Sequence, residues 1–302
     1  MKHVVSISLG SSSRDKKAEL KLGDQTILLE RIGCDGDEHK ARALLAEMDG
    51  KVDAFGIGGV ELYIRVADRS YGLRSGLNLV KGVKQTPYTD GRGLKYVLER
   101  SVFQMAEPQL KHPFSPRKAM MPLAVDRYGM AESLARAGFE IVFCDLMFAL
   151  GIPMPIKGLA QLRRAAAVIA PVVRLAPISM LYPTGQNQDE NISRYEKWFN
   201  YGPLIAGDFL YIRRHMPPDL SGKVIITNTT TASDVELLTS RGVAYLVTST
   251  PRLDGRSFGT NVLEAALIAY AGQGRPLTDA ELTSLVKELE LRPTVQALNP
   301  AA

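Results

Sequence analysis

The sequence predicts an α/β protein of two α/β domains, the C-terminal one a Rossmann-like, doubly wound parallel sheet. The chain has 302 residues, about twice the usual length of one domain. Short apolar segments alternate with amphipathic ones, as in strand–helix–strand units, and a proline-rich joint at 107–116 divides the chain. We expect an N-terminal substrate-type domain at 1–110, a nucleotide-binding domain at 118–275 and a C-terminal helix and tail at 276–302.

Composition and charge narrow the function classes. Hydrophobic residues make up 45% and charged residues 23% of the chain, the balance of an ordinary globular protein. The net charge of +5 comes from scattered Lys and Arg rather than a basic stripe, so nucleic-acid binding is not expected, whereas a small anionic substrate is.

Cysteine usage and hydropathy predict a reduced, cytoplasmic protein without a metal site. Cys34 and Cys144 lie far apart, with no histidine at metal-ligand spacing. The first residues read as a strand and lack the apolar core of a secretory signal. No segment reaches the roughly 20 apolar residues of a membrane span. The amphipathic segment Leu159–Val173 either packs internally or forms a homodimer contact.

The elements follow in order along the chain. In the first domain, strands are expected at residues 4–9, 26–32 and 52–57 and a helix at 37–48. In the second, the expected strands are 119–125, 140–144, 203–206, 223–227 and 244–248. Helices are expected at 128–137, 232–241, 259–271 and 279–289, and the long segment around 182–188 is expected to be a lid or binding loop.

The turn after strand 119–125 lies where a dinucleotide-binding fold holds its phosphates. A helix N-terminus there offers free amides, and glycines let a pyrophosphate approach. The predicted cofactor-binding residues of this turn are Asp126, Arg127, Tyr128, Gly129 and Met130. Arg127 either contacts a phosphate or is solvated, and the turn is either a cofactor site or an ordinary structural connection.

Asp145 follows the next strand, where an acidic residue binds the adenosine ribose hydroxyls. A carboxylate at this point repels a 2′-phosphate, so NAD is favoured over NADP. Polar residues also follow the later strands at the edge where ligands of parallel sheets bind. These residues are predicted to bind the cofactor or, as the alternative, to cap helices. They are Thr227, Asn228, Thr229 and Thr248.

The loop at residues 254–261 precedes the last long helix and supplies two further predicted substrate contacts, Arg256 and Asn261. Ser257, Thr260 and Asn261 would also serve as helix caps, which is a complete structural alternative. Asp208 follows a strand as well, and either belongs to the site or pairs with Arg213.

The segment Thr86-Pro-Tyr-Thr-Asp-Gly-Arg-Gly-Leu94 resembles the N-T-D-G-x-G-F segment of the shikimate and quinate dehydrogenase family. The resemblance extends weakly over most of the chain. It implies that Asp90 is the catalytic aspartate, working beside a lysine. Lys81, Lys84 and Lys95 are the candidates for that lysine, of which Lys84 is assigned. The resemblance also places substrate-binding residues at Ser6, Ser8, Ser11 and Thr89.

Two function hypotheses follow. The first is an NAD-dependent oxidoreductase acting on a small hydroxylated carboxylic acid of the quinate or shikimate type. The second is a non-redox protein, a sensor or transferase, that binds another nucleotide-like or anionic ligand. The second is motivated by residues that depart from the family. The glycine-rich turn is replaced by Asp126–Gly129, and no lysine segment of the N-V-T-x-P-x-K type is visible near Gly58–Glu61.

Overall fold

The computed structural model describes residues 1–66, 69–111, 114–174, 191–253 and 256–300. They form two lobes, each built on a mainly parallel sheet with helices on both faces. The predicted fold class is confirmed. The segment around residues 182–188, expected to be a lid or binding loop, lies outside the described residues.

The first lobe contains a sheet of order β2-β3-β1-β4-β7. Its central strand β1 carries the apolar run Val4, Val5 and Ile7, which is almost wholly buried, as expected of a parallel strand covered on both faces. The sequence analysis missed β2, which pairs antiparallel with β3 at the sheet edge. The strands are β1 (Lys2–Ser8), β2 (Lys16–Leu22), β3 (Gln25–Gly33), β4 (Ala54–Gly58) and β7 (Tyr88–Thr89), and a separate hairpin holds β5 (Tyr63–Val66) and β6 (Arg69–Gly72).

The second lobe contains a sheet of order β10-β9-β8-β11-β12-β13-β16, with five parallel strands between two antiparallel edges. The first of these strands ends at Met121 rather than at Val125, because the proline at position 122 cannot donate to a ladder. The strands are β8 (Lys118–Met121), β9 (Glu140–Phe143), β10 (Ile156–Lys157), β11 (Leu204–Ala206), β12 (Val224–Thr227), β13 (Tyr245–Thr248) and β16 (Thr294–Ala297), and β14 (Arg252–Leu253) pairs with β15 (Arg256–Ser257) outside the sheet.

The described helices cover both faces of the two sheets. They are α1 (Glu38–Met48), α2 (Arg74–Val80), α3 (Arg92–Arg100), α4 (Val102–Ala106), α5 (Tyr128–Arg136), α6 (Asp145–Leu150), α7 (Gly158–Val173), α8 (Glu196–Phe199), α9 (Phe209–His215), α10 (Ala232–Ser240), α11 (Thr260–Ala271) and α12 (Asp279–Glu288). Within the described ranges, no helix combines the length and apolar character needed to cross a bilayer.

The C-terminal elements are distributed between the two lobes differently from the prediction. Helix α11, expected in the second domain, packs on the first sheet, where Leu263 and Leu267 join Val4 and Leu29 in one core. The approach is close, since a Cβ on Gly56 would lie 2.8 Å from a backbone oxygen of α11. Strand β16, expected to be part of a tail, returns to the second sheet beside β13.

Helix α3 lies between the lobes. Its Leu94 and Leu98 belong to the core of the first lobe, and its Tyr96 belongs to the core of the second. The connection between the lobes therefore begins at α3, well before the proline-rich joint that the sequence analysis chose as the boundary.

Candidate functional site

Polar loops from both sheets meet around α3. Strand β4 runs into the loop that carries Glu61, and β7 into Asp90; in the second lobe, β8 runs into Asp126 and β11 into Asp208. These are carboxyl ends of parallel strands, the edge at which ligands bind in open α/β sheets. The candidate site is the set of charged side chains between these loops.

Lys95 of α3 joins the two lobes. Its Nζ lies 2.8 Å from Oε1 of Glu61 and 2.8 Å from Oδ1 of Asp126. Burial and the charge of Asp126 raise the pKa of Glu61 to about 7 despite the opposing effect of Lys95. Burial acts on Asp126 as well, but Lys95 and Arg127 hold the pKa of that carboxyl well below its usual range. At neutral pH, Glu61 therefore exchanges a proton while Asp126 stays ionised.

Arg127 lies in the interior and is held by three carboxylates. Its guanidinium donates to Glu99 over 2.8 Å and to Asp208, and its Nε lies 3.2 Å from Asp126. The side chain is 9% exposed. The donors of Arg127 are directed at carboxylates of the protein itself in this structure, and the phosphate contact stays a prediction. Asp208 pairs with Arg127, and the guanidinium of Arg213 reaches Asp234 over 3.3 Å.

The turn that was expected to bind phosphates is closed by α3. A Cβ on Gly129 would lie 2.9 Å from Cβ of Glu99 and 3.0 Å from the carbonyl oxygen of Tyr96. Gly129 thus permits close packing of α5 on α3 rather than the approach of a pyrophosphate. Tyr128 and Met130 are core residues.

Asp145 opens α6 and stabilises the β8–α5 loop. Its Oδ1 accepts the backbone amides of Ala124 at 2.9 Å and Val125 at 2.8 Å. The side chain is buried, and burial raises its pKa to about 6. Oδ1 already serves the loop, whereas the buried Oδ2 makes no hydrogen bond within the described residues, and the ribose contact stays a prediction.

The polar residues after β12 form hydrogen bonds with the loop after β11. The buried Thr227 donates to the carbonyl oxygen of Gly207 over 2.8 Å, and Asn228 donates from Nδ2 to Asp208 over 3.1 Å. Thr248 is buried at the end of β13. Thr229 and Thr230 are half-buried, and the following threonine caps α10. The predicted cluster exists, but its principal contacts run within the second lobe.

Asp90 has both carboxylate oxygens engaged by backbone amides. Its Oδ2 accepts from Leu62 over 2.7 Å and its Oδ1 from Arg92 over 3.1 Å. Lys84, the assigned partner, is exposed before β7, at the opposite end of the strand, and its backbone amide donates to Asp49 over 2.8 Å. The structure contradicts the assignment of Lys84, because this residue lies at the far end of β7 from Asp90; the lysine that contacts carboxylates of the site is Lys95.

The predicted substrate serines are engaged in local contacts. Ser6, which is buried, accepts from Nδ2 of Asn261 over 3.0 Å, so these two predicted residues do come together, at the seam between α11 and the first sheet. The Oγ of Ser8 accepts from the amide of Gly10 over 3.1 Å, and Ser11 caps a 3₁₀ turn. The backbone of Arg256 belongs to the β14–β15 hairpin.

Thr89 contacts Glu264, a buried acid that was not predicted from the sequence. Its hydroxyl donates to Oε1 of Glu264 over 2.6 Å, and the amide of Leu94 donates to Oε2 over 2.7 Å. Burial raises the pKa of Glu264 to about 7. Glu61, Glu99 and Glu264 were all overlooked; the detectable signal was charge within apolar surroundings, as in Leu263–Leu267.

A small cavity lies beside the Lys95 contacts. Its volume is about 20 Å³, enough for about one water molecule. Glu61, Tyr63, Arg92, Lys95 and Asp126 are among the residues that line it. Nε and Nη1 of Arg92 are buried and make no hydrogen bond to the part of the chain that the structure describes.

The residues present do not fit NAD at the predicted position. The site offers one glycine, and that glycine is covered by α3; the arginine and the ribose-type aspartate are both engaged internally. A phosphate cradle needs free backbone amides and space above a helix N-terminus. These residues form no phosphate cradle in this conformation.

The fold and the site define a two-lobed α/β protein with a polar site between its lobes. The chain belongs to the family described as Domain of unknown function (DUF8754), whose profile matches residues 93–298. Residues 3–90 match a second family, Domain of unknown function (DUF8753). The two matches meet at the start of α3, where the structure also places the connection between the lobes.

Solved structures are similar over nearly the whole chain at low identity. The NAD-dependent malic enzyme of Thermotoga maritima is 13% identical with a TM-score of 0.43, over 100% of this chain and 80% of that one. An ABC transporter solute-binding protein from Agrobacterium vitis, bound with α-D-tagatopyranose, is 10% identical with a TM-score of 0.37, over 98% and 95%. A galactofuranose-binding protein is 12% identical with a TM-score of 0.36, over 98% and 95%. No curated protein matches the chain.

Proposed function

We propose that this protein is an acid–base enzyme that acts on a small hydroxylated carboxylic acid held between its two lobes. The observation that carries the proposal is Glu61, a carboxyl with a pKa of about 7 in contact with Lys95 at the edge of the interlobe cavity. A group with a pKa near neutrality both accepts and donates protons efficiently at that pH.

The chemistry open to this pair is proton transfer without a redox partner. Ionised Glu61 accepts a proton from a substrate carbon next to a carboxyl or carbonyl group, while the ammonium of Lys95 stabilises the negative charge that develops. Glu61 then returns the proton to carbon, or delivers it to a departing hydroxyl group that leaves as water. Exchange, isomerisation and loss of water are the corresponding reaction types.

The pair also relates to the family resemblance. That resemblance places a catalytic lysine segment near Gly58–Glu61, where this chain carries a carboxylate instead. The lysine comes from α3, three residues after the Asp90-Gly-Arg turn. A lysine–carboxylate pair between the lobes is thus compatible with the resemblance, with the two groups supplied by different segments.

A substrate requires the cavity to widen. A volume of about 20 Å³ accommodates no hydroxy acid, so binding must separate the walls, as in the hinge closures of other two-lobed proteins. The lobes are held together at this point by the contacts of Lys95 with Glu61 and Asp126. A substrate that replaces one of these contacts would compensate for breaking it.

The test is proton exchange in heavy water. The protein is incubated with quinate, shikimate and simple hydroxy acids in D₂O, and mass spectrometry follows deuterium incorporation and loss of water. We expect turnover that rises with pH toward about 7, as Glu61 becomes ionised, and a loss of at least roughly 100-fold in Glu61→Gln. The control is Glu236→Gln, at an exposed glutamate of α10. Equal rates in wild type and Glu61→Gln would refute the assignment.

A second candidate is the NAD-dependent oxidoreductase, supported by the Thr86–Leu94 resemblance and by the Rossmann-like order of the second sheet. It requires a cofactor position other than the turn at Asp126–Met130. Calorimetric titration with NAD and NADP, and nicotinamide reduction in the presence of quinate or shikimate, test it directly. Mass spectrometry of a co-purified ligand discriminates further, because a methyl donor or sugar nucleotide would favour the sensor or transferase alternative.

A further inference from the structure

The guanidinium of Arg92 pairs with no carboxylate among the described residues. Its guanidinium stacks on the ring of Tyr63, with Cζ 4.3 Å from the ring centroid, and it lines the interlobe cavity. Nε and Nη1 are both buried, and within the described residues neither donates a hydrogen bond. Buried charged donors without an acceptor are destabilising, so they call for an explanation.

A second arginine of the same cavity has a carboxylate partner. Arg65 also lines it and makes a bidentate pair with Asp279, with Nη1 to Oδ1 over 2.8 Å and Nη2 to the other oxygen. A guanidinium pairs with carboxylate in this two-point geometry because its N–H groups form a planar fork. Among the described residues, no carboxylate forms such a pair with Arg92.

The serines that the sequence analysis assigned to substrate binding do not offer an alternative anion site. Ser6 is 1% exposed and accepts from Asn261, and Ser8 is 5% exposed and accepts from Gly10. They lie at the α11 seam and do not line the cavity. Among the described residues lining the cavity, the buried donors without an acceptor belong to Arg92.

We infer that Arg92 is the specificity-determining residue of the site, its guanidinium binding the carboxylate of the substrate while Tyr63 holds the guanidinium plane in place. The inference rests on the proposed function and adds the orientation of the ligand. The carboxylate lies at the start of α3, and the reacting carbon lies toward Glu61 and Lys95, one helical turn further on. A polyol without a carboxylate leaves Arg92 unpaired and is rejected.

The experiment compares ligand-induced stabilisation in three proteins: wild type, Arg92→Gln and the control Arg100→Gln. Arg100 lies on the same helix, is exposed and pairs with Glu132. Probes are quinate, inorganic phosphate and the uncharged polyol myo-inositol, and the readout is thermal unfolding with calorimetric titration. We expect quinate to bind wild type and Arg100→Gln alike, binding to Arg92→Gln to be weakened by roughly 10- to 100-fold, and inositol not to bind.

The outcomes separate this inference from the proposed function. Quinate binding that is unchanged in Arg92→Gln would overturn the role of Arg92 while leaving the acid–base site intact. Phosphate binding through Arg92 in preference to quinate would overturn the carboxylate assignment. If no carboxylate stabilises wild type and Arg92→Gln melts well below it, the arginine is a structural residue and the inference is wrong. Loss of turnover in Glu61→Gln with quinate affinity retained would support both.

Discussion

Replacing Arg127 by methionine should destabilise the protein strongly. The substitution leaves Glu99 and Asp208, with side chains 2% and 13% exposed, without the cation that they share. Removing one partner of a buried ion pair typically lowers the free energy of unfolding by about 3–5 kcal/mol. That is a large part of the roughly 5–15 kcal/mol by which a domain is stable.

The assay is urea unfolding followed by far-UV circular dichroism at pH 7.5 and pH 5. Burial already raises the pKa of Glu99, and removing Arg127 raises it further. The native variant then binds a proton that the unfolded chain has lost, so its deficit should shrink as the pH falls. The control is Arg292→Met, whose ion pair with Glu290 is largely exposed and should contribute less than about 1 kcal/mol. A deficit for Arg127→Met as small as that of the control would refute the reasoning.

Three further substitutions test other parts of the structure. Gly91→Ala places a Cβ 2.2 Å from the backbone nitrogen of Asn261 at a φ of +83°. The control Gly138→Ala has a φ of +80° with open space around the Cβ, and should lose only the ~1–2 kcal/mol of conformational strain from its free energy of unfolding. Gly91→Ala should lose well more than this in unfolding experiments, and equal losses in the two variants would contradict the close approach. Glu264, with a pKa raised to about 7, stabilises the native state below the unfolded-state pKa, and this contribution disappears as the pH rises through 7. Glu264→Gln should therefore flatten the decline in melting temperature between pH 5 and pH 8, and an unchanged decline would sink this explanation. Lys84→Met should alter stability by less than about 0.5 kcal/mol; a larger loss in a urea melt would mean that Lys84 is not the exposed residue described.

Much of the fold was predictable because apolar periodicity reports burial directly. The runs at Val4–Ile7 and Val224–Thr227 identified central strands, and Thr231 identified a helix start. The antiparallel edges β2 and β16 were missed because an edge strand is half-exposed and its alternation with charged residues is typical of loops as well.

The site was harder to predict because part of it lies on helix α3 and not in the strand-end loops. Lys95 and Glu99 are four residues apart on α3 and resemble an ordinary solvated pair in sequence. The packing of α3 between the lobes decides their partners. It directs Lys95 toward Glu61 and Asp126. It directs Glu99 toward Arg127. Sequence spacing within one helix carries no information about which lobe covers it.

The path of α11 has a consequence for how the chain must fold. The polypeptide leaves the first lobe at α3, returns to it at residue 260 and departs again for β16. A fragment ending near residue 110 would lack the helix that covers Val4, Leu29 and Ala54, and would present that apolar sheet face to water. Neither half is expected to be an autonomous folding unit, because the core of the first lobe is complete only once residues 258–291 have been synthesised.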